Sequence, residues 1–357
     1  MNDDYLWDGS GEPDPEVQQL EKTLGRFRHN RPAPSFDEIT QIRSASQRSD
    51  YHSFLVSLRI LAAAAAILLA VGLSLFWVRP NPLSESGSGW DVARLAGTPR
   101  VGSHPIATGA QLSRIRAGQT LETDDSSRAL ITLDETGRVE IDGDSRLRVL
   151  ANGPDRQRLA LDRGTIHATI WAPPGQFVVD TPSAVTVDLG CVYTLHVDDS
   201  GAGIVRTTMG WVGFQLNGRE SFIPAGAVCA TRPKTGPGTP YFEDASASFR
   251  EALFQFDFAA GTPAEREADV TVLLGEARPN DALTLWHLLS RVGEPDRPRV
   301  YDRLAALAPP PTSVTRAGIL SLDQRMLDSW WNSLNYGDIS LWHMYERQWS
   351  QPQSSPN

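Results

Sequence analysis

The polarity pattern along the chain changes character three times. Over the first fifty-odd residues the apolar positions recur at helical spacing. Val17, Leu20, Leu24 and Phe27 fall on one stripe of an amphipathic helix. Arg31-Pro32-Ala33-Pro34 interrupts the stripe. Ser35 and Glu38 then form a capping box that opens a second short helix carrying Phe36, Ile39 and Ile42. Two helices this short bury little on their own. Residues 1–54 are therefore either a plain tether or a docking element presenting Leu20, Leu24, Phe27, Phe36, Ile39 and Ile42. Residues 60–78 follow with no formal charge. That run is long enough to cross a hydrocarbon core of ~30 Å as a helix, and it places a transmembrane segment at 55–78. It lies too deep in the chain for a cleaved signal peptide. A helix buried in a soluble core is the alternative, but such a helix is rarely apolar on every face for so long.

After a short Pro/Ser/Gly linker at 79–89 the period becomes two. Ala129, Ile131 and Leu133 alternate with polar residues, as do Val139 and Ile141, Leu147 and Val149, and Ile166, Ala168 and Ile170. Val185, Val187 and Leu189 lead on to Tyr193, Leu195 and Val197. Turn formers such as Asp142-Gly143-Asp144, Asn152-Gly153-Pro154 and Asn217-Gly218 separate these runs. Short strands at this cadence predict an all-β domain over 90–232. The spacing suits a roll or a short β-solenoid as well as a sandwich.

A Pro/Gly stretch at 233–244 reads as a second linker, and helical periodicity takes over at 245–350. Thr262 and Glu265 give a capping box around Pro263. Asn280 is placed to cap a helix over 282–290, Pro295 opens one through 308, and two more cover 322–331 and 339–349. Trp286, Trp330, Trp331, Trp342 and Trp349 fall in this region, where core packing is their expected role. Residues 351–357 are expected to be a disordered tail. The predicted fold class is thus a multidomain membrane protein. It has a single transmembrane helix, an all-β domain and a C-terminal all-α helical domain.

Charge adds the orientation. The 357 residues carry a net charge of −10, and neither side of the apolar run is basic, so nucleic acid is not an expected partner. Arg26, Arg28, Arg31, Arg43, Arg48 and Arg59 precede the run, against Arg79, Arg94 and Arg100 after it. This bias puts the N-terminus in the cytoplasm and the bulk outside it. Cys191 and Cys229 then lie on the outer side, where an even pair is a disulfide candidate. Two unpaired buried thiols are the alternative.

Reactive chemistry is sparse. The seven histidines are scattered without zinc-ligand spacing, and neither a phosphate-binding loop nor a nucleophile elbow occurs. Cys191 falls in a strand with no base tied to it by sequence. Asp124-Asp125, Asp134-Glu135, Asp142 with Asp144, and Asp198-Asp199 all sit at turns, where aspartate bonds its own backbone. The reading is a protein without cofactor or metal and without enzymatic activity.

Four segments have a familiar order and spacing. They are Asp180-Thr181-Pro182-Ser183-Ala184, Leu189-Gly190-Cys191-Val192-Tyr193, Gly210-Trp211-Val212-Gly213-Phe214 and Pro224-Ala225-Gly226-Ala227. With them, residues 90–232 resemble the FecR family, membrane-anchored periplasmic proteins that relay envelope signals to extracytoplasmic-function sigma factors. The resemblance gives Thr181, Pro182, Gly190, Tyr193, Gly210, Trp211, Val212, Pro224 and Gly226 structural roles, each glycine marking a bend. It departs at Cys191, where the family usually carries threonine. With Cys229 after the closing turn, a disulfide stapling the last strands is what that departure implies. The cytoplasmic piece is also shorter than the family's anti-sigma domain, and no transporter-binding element is recognised in the helical region. The resemblance implies a bacterial inner-membrane protein, with a sigma factor as cytoplasmic partner and an unknown periplasmic protein or glycan outside. The alternative function is a periplasmic scaffold or glycan-binding protein whose N-terminus is only an anchor.

Overall fold

The computed structural model describes residues 89–106, 113–340 and 342–344. The docking positions Leu20, Leu24, Phe27, Phe36, Ile39 and Ile42, the apolar run at 55–78, the tail at 351–357 and Trp349 lie outside the described residues. Among the described residues no helix is long and apolar enough to cross a membrane.

The alternating runs are strands. They begin with β1 (Trp90–Ala96), β2 (Arg100–Val101), β3 (His104–Pro105), β4 (Ser113–Ile115), β5 (Thr120–Glu122) and β6 (Arg128–Thr132). Next come β7 (Gly137–Ile141), β8 (Arg146–Gly153), β9 (Arg156–Ile170), β10 (Phe177–Asp180), β11 (Val185–Asp188) and β12 (Val192–Val197). β13 (Gly203–Met209), β14 (Trp211–Leu216), β15 (Arg219–Pro224), β16 (Ala227–Arg232), β17 (Gly236–Pro237) and β18 (Tyr241–Phe242) complete the set.

One sheet runs β4-β1-β6-β7-β9-β12-β13-β16, with β17 and β18 on the far side of β16. The other runs β3-β2-β5-β8-β9-β10-β11-β14-β15. The β9–β10 pairing is parallel, and the other pairings are antiparallel. Hairpins feed the two sheets in turn, giving a two-layer roll that does not close into a barrel. Antiparallel hairpins rather than parallel coils decide between the roll and the solenoid. Ile131, Val139, Ile166 and Leu195 of the first sheet join Leu147, Leu159, Val179 and Val187 of the second in one core, all essentially inaccessible to water. Each such side chain contributes roughly 1.5–3 kcal/mol when fully buried.

β9 belongs to both sheets. Its first half pairs with β8 up to Arg163, and its second half pairs with β12 from Gly164 onward. Gly164 makes the transition with φ +96°, and a Cβ there would overlap Ser145. The Ser145 hydroxyl instead accepts from the Thr165 N–H at 3.0 Å. The corner thus needs both the left-handed freedom of glycine and the room left by its missing side chain.

The stretch at 233–244 is not a linker. β17 and β18 pair with β16, and the Gly238 N–H donates to the Ala230 carbonyl at 2.8 Å. The helices follow directly: α1 (Ala247–Phe258), α2 (Pro263–Glu276), α3 (Ala282–Arg291), α4 (Arg297–Leu307), α5 (Arg316–Leu320) and α6 (Gln324–Ser333). Thr262 and Glu265 form the expected capping box at the start of α2. α3 is buried from Ala282 through Leu289 and is the hub of this region. Its side chains join the same hydrophobic cluster as the strands, so the β and helical regions share one core within the unit spanning residues 83–357.

Candidate functional site

The residues singled out from the four motif segments fall into three places. Thr181 and Pro182 make the β10–β11 turn, where the Thr181 hydroxyl accepts from the Ala184 N–H at 2.9 Å. Trp211 pairs with Pro224 and Val212 with Ile223 across the β14–β15 hairpin. Gly190, Cys191, Tyr193, Gly210 and Gly226 gather where the chain passes between the sheets, from β11 to β12, from β13 to β14 and from β15 to β16. Gly210 has φ +68°, and a Cβ on it would overlap the carbonyl oxygen of Gly190. The Gly210 carbonyl accepts from the Ala225 N–H, and the Gly226 N–H donates to Thr207. The three crossings therefore lock against one another through backbone atoms.

Directly under this lock sits a polar nest. The Asp188 carboxyl, 1% exposed, accepts from the Gly190 N–H at 2.7 Å and from the Cys191 thiol at 2.6 Å. Burial raises its pKa to about 7, against the lowering effect of those two donors. Burial, reinforced by the Asp188 charge, pushes the Cys191 thiol well above its ordinary value. The Tyr193 phenol is fully buried and its hydroxyl has no partner among the described residues. A thiol held protonated and shielded from water is not an available nucleophile. Asp188 was not legible as a site residue, although a lone acid in the apolar run Val185–Leu189 was the signal for it.

The expected Cys191–Cys229 bridge is not formed; both cysteines are free and buried. Each thiol has its own acceptor. Cys191 is committed to Asp188, while the Cys229 thiol donates to the Gly238 carbonyl at 3.2 Å. Burial pushes the Cys229 pKa up to about 12.

The second concentration of chemistry is the junction between the β14–β15 hairpin and the helices. Phe222 is its centre, with the rings of Trp342, Trp331, Trp211, His287 and Trp286 at centroid distances of 5.2, 5.5, 5.9, 5.9 and 6.2 Å. The Trp342, Trp331 and Trp211 contacts are edge-on and the other two tilted, and such pairs add to the area that the rings bury. The Phe222 N–H donates to His287 Nε2 at 3.0 Å. His287 Nδ1 must then carry the proton it shares with the Leu283 carbonyl at 2.8 Å. Burial and the Arg291 charge hold its pKa well below the usual range, so the ring is a neutral connector. Beside it, Asp257 accepts from Arg219 at 2.6 Å and from the Thr239 N–H at 2.5 Å. Arg291, its side chain 7% exposed, donates to the Thr239 hydroxyl, the Glu220 carbonyl and the Ser221 hydroxyl at 2.6–2.7 Å. Trp286, Trp330, Trp331 and Trp342 are all core residues, the role expected of them. Among the described residues no group of three or more His, Cys, Asp or Glu side chains is placed to hold a metal ion.

Residues 119–212 match the family described as FecR protein. The chain carries a FecR domain. The matched segment starts just before β5 and ends within β14. It takes in Thr181, Pro182, Gly190, Tyr193, Gly210, Trp211 and Val212, leaving Pro224 and Gly226 beyond its edge. Two crystal structures of a candidate anti-sigma factor from Parabacteroides distasonis ATCC 8503, at 1.65 and 2.50 Å resolution, also show similarity. They are 16% and 15% identical, with TM-scores of 0.32 and 0.31. Each match covers 38% of this chain and 64% of the other. No curated protein matches the chain. The matched segment takes in the nest and two of the three crossings of the lock, while the crossing at Ala225–Gly226 and most of the aromatic junction lie beyond it.

Proposed function

We propose that this protein is a non-enzymatic signal-relay regulator of the bacterial envelope. Residues 55–78 anchor it in the inner membrane, with the N-terminus in the cytoplasm and the FecR domain in the periplasm. The FecR match over residues 119–212 is the observation that carries this reading. The charge-free run at 60–78 and the arginine bias ahead of it support the placement. In this scheme Leu20, Leu24, Phe27, Phe36, Ile39 and Ile42 dock on an extracytoplasmic-function sigma factor. An envelope signal shifts the population between partner-bound and free states. The periplasmic input, a protein or a glycan, acts on a unit in which FecR strands and helices share one core. A close-packed core of this kind transmits strain rather than absorbing it.

The test has two arms. Residues 1–54 are used as bait for a sigma factor from the source cell, and a strain lacking residues 1–50 is compared with the parent by transcript profiling. A captured sigma factor together with altered expression of its targets supports the proposal. An unchanged transcriptome with no sigma factor captured sinks it and leaves the scaffold reading.

A further inference from the structure

A cleft of about 370 Å³ opens between α1 and the β16–β18 edge of the first sheet, a volume within the range of small-molecule sites. One wall is apolar. The Phe254 and Phe258 rings lie 5.3 Å apart, and Leu253 and Ala230 extend the surface. The Arg232 guanidinium sits 5.2 and 5.5 Å from the centres of those two rings, fixing them by cation–π attraction and adding positive potential.

The polar groups of the cleft are unequal. Asp257 at its base is already answered by Arg219, Arg291 and Thr239, so it presents no open negative charge. Glu251 on the rim is bonded by Gln255 at 2.7 Å. Arg250 also lines the cleft. Its exposed side chain makes no ion pair or hydrogen bond with a described residue, and the same holds for the Tyr241 hydroxyl. These two groups lie within electrostatic reach of each other. A cation and a phenol donor beside an aromatic wall suit a ligand with one carboxylate and an apolar body. A carboxylate accepts from both groups at once through charge-assisted hydrogen bonds.

We propose that this cleft binds a small amphipathic carboxylate. Arg250 and Tyr241 hold the carboxylate, and Phe254 and Phe258 receive the apolar body. The proposal is independent of the regulator reading, since it concerns a site outside the segment matched to FecR and requires no partner protein.

The experiment is isothermal titration of the purified full-length chain with 4-phenylbutyrate and with its neutral amide, 4-phenylbutanamide. Saturable one-to-one binding of the carboxylate is expected, about tenfold or more tighter than the amide. Arg250→Gln should remove that preference, and Phe254→Ala should weaken both ligands together. Thermal melts should show that both variants remain folded, as expected for exposed positions. Equal affinity for acid and amide would overturn the proposal. So would the absence of saturable acid binding, or an Arg250→Gln variant that still prefers the acid.

Discussion

Trp342 occupies the space that a side chain at position 213 would fill. A Cβ built on Gly213 overlaps the six-membered ring of its indole, and the indole N–H donates to Glu220 Oε1 at 2.8 Å. A residue from beyond the last complete helix is thereby keyed into the middle of β14, just past the end of the segment matched to FecR. Gly213→Ala should evict or distort Trp342 and cost about 1–3 kcal/mol, the usual range for overpacking a core. Chemical denaturation followed by tryptophan fluorescence measures this. In Gly213→Ala combined with Trp342→Ala the penalties should be less than additive, because one collision underlies both. Additive penalties would show that the two residues do not compete for the same space.

Asp188 makes stability depend on pH in a defined direction. Its folded pKa is about 7, raised from the ordinary 3.8 by burial, with Cys191 and Tyr193 as the titratable groups facing it. Between those values the folded state keeps a proton that the unfolded chain has lost. Stability therefore falls as pH rises through this window. The full effect is on the order of 4 kcal/mol by the free energy of a pKa shift. Asp188→Asn, which still accepts from Gly190 through its amide oxygen, should gain on the wild type steadily from pH 4 to pH 8. Urea midpoints of both proteins across that range test this, and parallel curves would refute it.

The thiols give a third test. Both are buried and free, so Ellman's reagent should find almost none in the native protein and two after guanidinium unfolding. Reducing agent should leave the melting temperature unchanged. A reductant-sensitive melt would restore the bridge that the sequence suggested.

The buried charges at Asp257 are expected to be intolerant of partial removal. Asp257→Ala leaves Arg219 and the largely buried Arg291 facing one another without their shared anion. A loss of roughly 3–5 kcal/mol is typical for stranding a buried charge. Asp257→Asn keeps an acceptor for Thr239 and should lose less. Circular dichroism melts rank the two variants, and the reverse order would contradict this account of the network.

What was legible in the sequence followed from local rules. Alternation at Ile131, Val139, Ile166 and Leu195 became the inner faces of the sheets. The Thr262–Glu265 box formed because both of its bonds lie within one turn. Asn280 missed the cap of α3 by one position, since it was drawn into a 3-10 turn that leaves Asp281 at the boundary. Residues 233–244 looked like a linker because Pro and Gly dominate them. A short edge strand needs only a few N–H donors, and those present sufficed. The glycines of the lock were legible as bends, but that Gly210 presses on Gly190 was not. The Asp257–Arg291 network was out of reach for the same reason. Its members are brought together by the packing of α1 and α3 on the β14–β15 hairpin, and no local pattern encodes that distance.

The dual membership of β9 sets the order in which the chain becomes safe. Its neighbours β7 and β8 precede it, whereas β10 and β12 follow it. A chain emerging from its N-terminus therefore reaches Ile170 with two open sheet edges on a single strand. One is covered when β10 arrives at Phe177–Asp180, and the other stays open until β12 has been delivered at Val192–Val197. Open edges are templates for pairing with the wrong chain, and incomplete β structures are where aggregation begins. The most hazardous form of this protein is thus a fragment interrupted between residues 170 and 192. Surveillance by chaperones and proteases would matter most over that interval.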